Sequence, residues 1–226
     1  MRSNLGRDNK PLIIEIGILR SIIIVFDGGA FKGGCRRWSN ESEGDFVQEK
    51  IYTSLGIVGP IIVYISIGVS IMFSPWFSWQ RNALSDLGHA VKSEVAPIFN
   101  LGLLLGGLLL VVYVVTVFRE HAKYTSLCLV ASAFLLQLIA TFNEAYGFLH
   151  DVVSVLFFVS IWITSLVNAI ETKSLEALGA FIISFGIWVL YGLKVYSAGI
   201  AVPEIISFTT VAALLMLSII RIFSQK

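Results

Sequence analysis

Charge is scarce in this sequence. Only 14% of its 226 residues are Asp, Glu, Lys or Arg, against about a quarter in an ordinary soluble domain. The 16 basic and 15 acidic residues leave a net charge of +1, so there is no basic excess of the kind that grips a nucleic-acid backbone, and no nucleic-acid partner is expected. Cysteine is scarcer still. Cys35 lies in a polar N-terminal stretch and Cys128 inside an apolar run, a pair that indicates neither a disulfide framework nor a cysteine metal site. Cys128 reads as a small buried apolar residue. No continuous uncharged core followed by a small-residue cleavage site opens the chain, which argues against a signal peptide. No two halves align as inverted repeats of the transporter type do.

Hydrocarbon is what the chain has in excess: 56% of the residues are hydrophobic and the mean hydropathy is +0.84. Its apolar runs reach the ~18 to 20 residues needed to cross a bilayer. Six such spans are expected after Tyr52: Thr53 to Phe73, Val95 to Phe118, Thr125 to Glu144, His150 to Ile170, Leu175 to Lys194 and Ala201 to Phe223. The fold class that follows is all-α, a polytopic membrane protein built as a bundle of six transmembrane helices.

Orientation is read from Lys and Arg beside the spans. Arg36, Arg37, Lys50, Arg119, Lys123, Lys173, Arg221 and Lys226 flank one side, and only Arg81, Lys92 and Lys194 the other. The N- and C-termini are therefore expected to be cytoplasmic, in a multi-pass protein of the cell membrane with lipids as partners.

Residues 1–50 read differently from the 51–226 transmembrane domain. Their one apolar piece, "PLIIEIGILRSIIIVF", is interrupted by Glu15 and Arg20, charges that each cost about 2.5 to 3.5 kcal/mol near a bilayer centre. That piece suits a short hairpin or an amphipathic surface helix, and the polar remainder has the composition of a disordered segment or of a reading frame begun ahead of the true start.

With the termini inside, the polar residues of the membrane region collect at the outer face. Asn82, Ser85, Asp86 and His89 fall in the first outer loop, Asn100 early in the second span, and Glu144 at the end of the third. His150 and Asp151 open the fourth span and Glu204 the sixth. Helical spacing adds stripes: Gln137, Thr141 and Glu144; His150 and Ser154; Glu204 and Ser207. Such stripes face a bundle interior or a wet cavity, because lipid offers no hydrogen bonds. The plainer reading is packing and capping: Ser85 or Asp86 could cap a short interfacial helix ended by Gly88, and Trp76 and Trp79 are ordinary belt residues. Gly102 and Gly106 form a small-residue pair suited to close helix approach, with Gly179, Gly186 and Gly192 as further candidates, and Pro60 is expected to kink the first span.

The order of "NALSDLG", "FN", "HDVVSVLFF" and "AVPE" resembles the uncharacterised, largely archaeal six-span membrane proteins grouped as the domain of unknown function 998 family. The likeness covers Ile51 to Lys226. It aligns Asn82, Ser85, Asp86, Leu87 and Gly88 with the first motif of that family, Asn100 with the second, His150, Asp151 and Ser154 with the third, and Glu204 with the last. It implies six helices and brings no established activity or substrate.

Three functions fit these residues. The first is a binding, sensor or structural bundle, without chemistry of its own, whose outer pocket (Asn82, Ser85, Asp86, Asn100, Glu144, His150, Asp151, Ser154, Glu204) holds a lipid headgroup or small ligand. The second is a zinc-dependent membrane hydrolase of lipid amides or esters, with His89, His150, Asp86 and Glu204 as metal candidates. The third is proton- or ion-coupled transport through Glu144, His150 and Glu204. Against transport, no charge sits at the middle of any span.

Overall fold

The computed structural model describes residues 43–224; Cys35 and the expectations for the chain before Glu43 lie outside the described residues. Six helices dominate: α1 Glu43–Met72, α2 Ala96–Thr116, α3 Lys123–Thr141, α4 Phe148–Thr172, α5 Leu175–Gly192 and α6 Ala201–Ser224. Each holds a stretch long and apolar enough to cross a membrane, and no strand occurs among the described residues. The all-α, six-span architecture expected from hydropathy is the one found.

Helix ends follow local chemistry. Pro97 lies in the first turn of α2, where its missing N–H costs nothing. Ser174 caps α5 by accepting from the Ala177 N–H at 3.2 Å. Gly147, at φ +54°, turns the chain into α4, a conformation open to glycine because it has no Cβ. The start of α3 has no cap of its own, since Ala122 precedes it. Glu171, near the end of α4, supplies one across the bundle: its carboxylate accepts from Tyr124 N at 3.0 Å, Thr125 N at 2.7 Å and Thr125 Oγ1 at 2.7 Å. An anion belongs at that positive helix end.

Between helices immersed in lipid the hydrophobic effect does little, and close van der Waals packing takes over. The tightest crossing is α1 on α2. A Cβ on Gly102 would overlap the Ser66 side chain, and one on Gly106 would overlap Val63 and come within 2.9 Å of the Gly59 carbonyl oxygen. Gly179, Gly186 and Gly192 behave otherwise, since a Cβ there would meet nothing within 4 Å. Small-residue packing thus operates on α2 and not on α5, which is the least buried of the six helices. Pro60 lies within α1, whose helix continues past it with the Gly56 carbonyl deprived of its usual donor.

Consecutive helices pack against one another, and α6 also touches α1 and α4. Two large apolar clusters fill the interior, with a small third one around Ala177, Ala180 and Leu214. One surrounds Tyr113, Val114, Ile219 and Ile222; the other gathers Ile67, Phe99, Phe157 and Phe158 beneath the first loop, which contributes Leu84 and Leu87 to it. Leu87 is fully buried. The first loop is therefore part of the core at its end of the bundle, and Trp76 and Trp79, both exposed, ring it.

Candidate functional site

A short 3-10 turn, Leu84–Gly88, organises the first loop. Asn82 and Asp86 lock it locally: Asp86 Oδ2 accepts from Asn82 Nδ2 at 2.7 Å and from Ala83 N at 3.0 Å, and Asn82 Oδ1 accepts from Ser78 N at 2.9 Å. Asn100 on α2 holds its far end, donating from Nδ2 to the Gly88 carbonyl at 2.9 Å. The connection between α5 and α6 docks on the same loop, with Gly199 N donating to Trp79 O at 2.8 Å and Ala201 N to Asn82 O at 3.0 Å. Gly199 is required there, because a Cβ would lie 2.6 Å from the Asn82 carbonyl oxygen.

Two more carboxylates reach the turn from elsewhere in the fold. Glu204 on α6 accepts from the Leu84 N–H through Oε2 at 2.6 Å. Glu144 accepts from Ser85 Oγ through Oε2 at 2.7 Å. Glu144 does not sit on α3 as the expected stripe with Gln137 and Thr141 requires. α3 ends at Thr141, and Asn143 starts a separate 3-10 turn, Glu144–Tyr146, by accepting from Ala145 N through Oδ1 at 3.1 Å. The stripe is therefore broken: Thr141 is exposed, while Gln137 packs on Gly107.

That early end of α3 creates the central feature of the site. The Phe142 carbonyl lies beyond the helix and accepts from His150 Nδ1 at 2.8 Å. A carbonyl oxygen can only accept, so Nδ1 carries the hydrogen and Nε2 of the neutral ring presents a lone pair. Ser154 Oγ lies 3.2 Å from Nε2, and its hydroxyl is then the donor. Glu144 Oε2 stands 4.0 Å from the same nitrogen. His150 is only 4% exposed, so its ring is held from both edges.

These groups border a cavity of about 290 Å³ between α4, α5, α6 and the first loop. Ser85, Glu144, His150, Asp151, Ser154 and Glu204 form its polar wall, and Phe158, Trp162 and Trp188 its aromatic one. The indole N–H groups are spent inside the bundle, Trp162 on Ser184 Oγ and Trp188 on Ser207 Oγ, each at 3.1 Å. The cavity therefore meets their ring carbons. No lysine or arginine lines it, which leaves three carboxyl side chains as its electrostatic character.

Of the expected pocket residues, six come together here. Asn82, Asp86 and Asn100 do not line the cavity; they hold the loop that roofs it. His89 lies outside as well, its Nδ1 accepting from Val91 N at 3.3 Å. Asp86 is engaged with Asn82 and Ala83, and one nitrogen of His150 with Phe142. Among the described residues no group of three or more His, Cys, Asp or Glu side chains is disposed to hold a metal ion, so the set His89, His150, Asp86 and Glu204 is not assembled as a zinc site. The backbone groups of Phe142 and Leu84 and the paired tryptophans are the contributors that sequence reasoning missed. For the aromatic wall, a tryptophan in mid-span was the readable signal.

Residues 57–221 match the model of a family described as a protein of unknown function (DUF998), over more than half of the chain, and the chain belongs to that family. No curated protein and no solved structure matches it.

Proposed function

For a member of this six-helix membrane family, we propose that the protein is a binding bundle of the cell membrane whose cavity, at the outer face, takes a cationic amphiphile. The observation that carries the reading is the cavity wall: Glu144, Asp151 and Glu204 with no lysine or arginine, beside Phe158, Trp162 and Trp188. The carboxylates of Glu144 and Asp151 attract an ammonium group, and aromatic faces add a cation–π contribution of roughly 0.5 to 2 kcal/mol. Ala83, Val155, Val159 and Ile200 complete the lining, and the last three suit the first methylenes of a chain. Placement of the cavity outside, with both termini cytoplasmic, rests on Lys50, Arg119, Lys123, Lys173 and Arg221 flanking the opposite ends of the spans.

The reading is tested by native mass spectrometry of the detergent-released protein offered dodecylamine or lauric acid at equal concentration. Preferential retention of the amine, weakened by combining Glu144→Gln with Asp151→Asn, is expected. Equal retention of both probes, or retention of the amine that ignores the double substitution, would overturn it.

A further inference from the structure

We propose that Ser154 and His150 form a nucleophile and general-base pair that cleaves carboxylic esters of amphiphiles. The inference takes the amphiphile-binding cavity as its substrate site and adds chemistry to it.

The hydrogen-bond pattern singles out Ser154. Helical serines and threonines of this chain commonly turn their hydroxyls back on a carbonyl one turn earlier, as Ser126 does on Ala122, Ser160 on Phe157, Thr164 on Ser160 and Ser165 on Ile161. That is the usual fate of such a hydroxyl in a helix. Ser154 instead meets His150 Nε2 at 3.2 Å, and the Phe142 carbonyl at 2.8 Å from Nδ1 fixes the tautomer in which Nε2 is the basic atom. Nucleophile, base and an orienting acceptor in series are the arrangement that activates a serine. Glu144, 4.0 Å from Nε2, stands where it stabilises the imidazolium that forms when the proton arrives.

Position supports the chemistry. Ser154 borders the polar cavity and also a narrow, nearly apolar crevice of about 60 Å³ that runs in beside Phe157 and Phe208. An amphiphile places its ester carbonyl at that kind of boundary, with the headgroup on one side and the acyl chain on the other.

In the proposed reaction Oγ of Ser154 attacks the ester carbonyl carbon as its proton passes to His150 Nε2. The acyl carbon–oxygen bond to the alcohol breaks, and Nε2 returns the proton to that departing oxygen. Water then attacks the acyl-serine, again losing a proton to Nε2, and releases the carboxylic acid with the serine restored. The sum is ester plus water giving acid plus alcohol.

The test is intact-mass analysis of the purified protein treated with an alkyl fluorophosphonate, which forms a phosphorus–oxygen bond to an activated serine and expels fluoride. One adduct per chain, mapped to Ser154, absent in Ser154→Ala and formed at least about 100-fold more slowly in His150→Gln, is the expected result. If His150→Gln does not fold, Ser154→Ala decides the matter, since it removes only an oxygen from a partly buried side chain. A wild-type protein that retains dodecylamine yet gains no adduct overturns the ester chemistry and leaves the binding reading standing. Equal labelling of Ser154→Ala overturns it too, whereas an adduct at Ser154 without preference for the amine overturns the cationic ligand instead.

Discussion

Replacing Glu204 with alanine removes the one acceptor described for the Leu84 N–H, at 2.6 Å. Leu84 is 6% exposed and Leu87 is fully buried, so the alanine variant leaves this N–H with no protein acceptor in a buried turn. An unsatisfied buried N–H costs about 1 to 3 kcal/mol. Taking about 2 kcal/mol, the population with the first loop open rises by roughly 30-fold. Hydrogen–deuterium exchange read by mass spectrometry on peptides covering Ala83 to Leu87 reports that opening, and exchange there should accelerate by the same factor while the interior of α3 is unchanged. Glu204→Gln keeps a carbonyl oxygen at the same place and should stay within about 5-fold of the wild type, equivalent to about 1 kcal/mol. Unaltered exchange in Glu204→Ala would refute the claim that this carboxylate holds the loop. A glutamine variant as open as the alanine one would show that charge, and not the acceptor, does the holding.

The glycines make a paired prediction. Gly106→Leu forces a side chain into Val63 and the Gly59 backbone and should cost more than the ~1 to 3 kcal/mol of ordinary overpacking, whereas Gly186→Ala faces open space and should gain up to about 1 kcal/mol of helix propensity. Thermal stability in detergent, followed by size-exclusion chromatography, should fall in the first and hold or rise in the second; parallel shifts would contradict the packing assignment. For orientation, single cysteines at Val91 and Leu175, 83% and 80% exposed at opposite ends of the bundle, are introduced with the native cysteines replaced. A membrane-impermeant maleimide applied to intact cells should label Val91→Cys and spare Leu175→Cys, and the reverse pattern would invert the topology.

The spans were legible because a bilayer demands length and hydrophobicity, and both are written in composition. The helix-end residues were legible for a related reason: His150, Ser154 and Glu204 stand out against apolar neighbours, and their spacing shows which share a face. What composition could not show is where the backbone presents its own groups. No letter marks the Phe142 carbonyl as an acceptor or the Leu84 N–H as a donor. Both arise because α3 stops at Thr141 and the first loop folds into the core, and the early end of α3 is flagged by no glycine or proline beside it. Asn143 was the available clue, as a residue that starts turns through its side chain, yet in an apolar stretch running on to Glu144 it reads as the close of the span.

Asn100 illustrates the opposite error. As a polar residue near the polar end of a span it looks like a ligand contact, but it holds the Gly88 carbonyl and leaves too little room for a Cβ at that glycine, 2.6 Å from its Oδ1. Its role is to fix the roof of the cavity. The same holds for Asp86, whose carboxylate is turned inward on Asn82 and Ala83. Polarity near a membrane surface therefore sorts into two groups only when partners are known: residues whose hydrogen bonds hold the loop, and those such as Glu144 and His150 that join separate parts of the fold while still facing a cavity. The second group is where a ligand can compete, because each of its bonds has a donor or acceptor that a bound headgroup can replace.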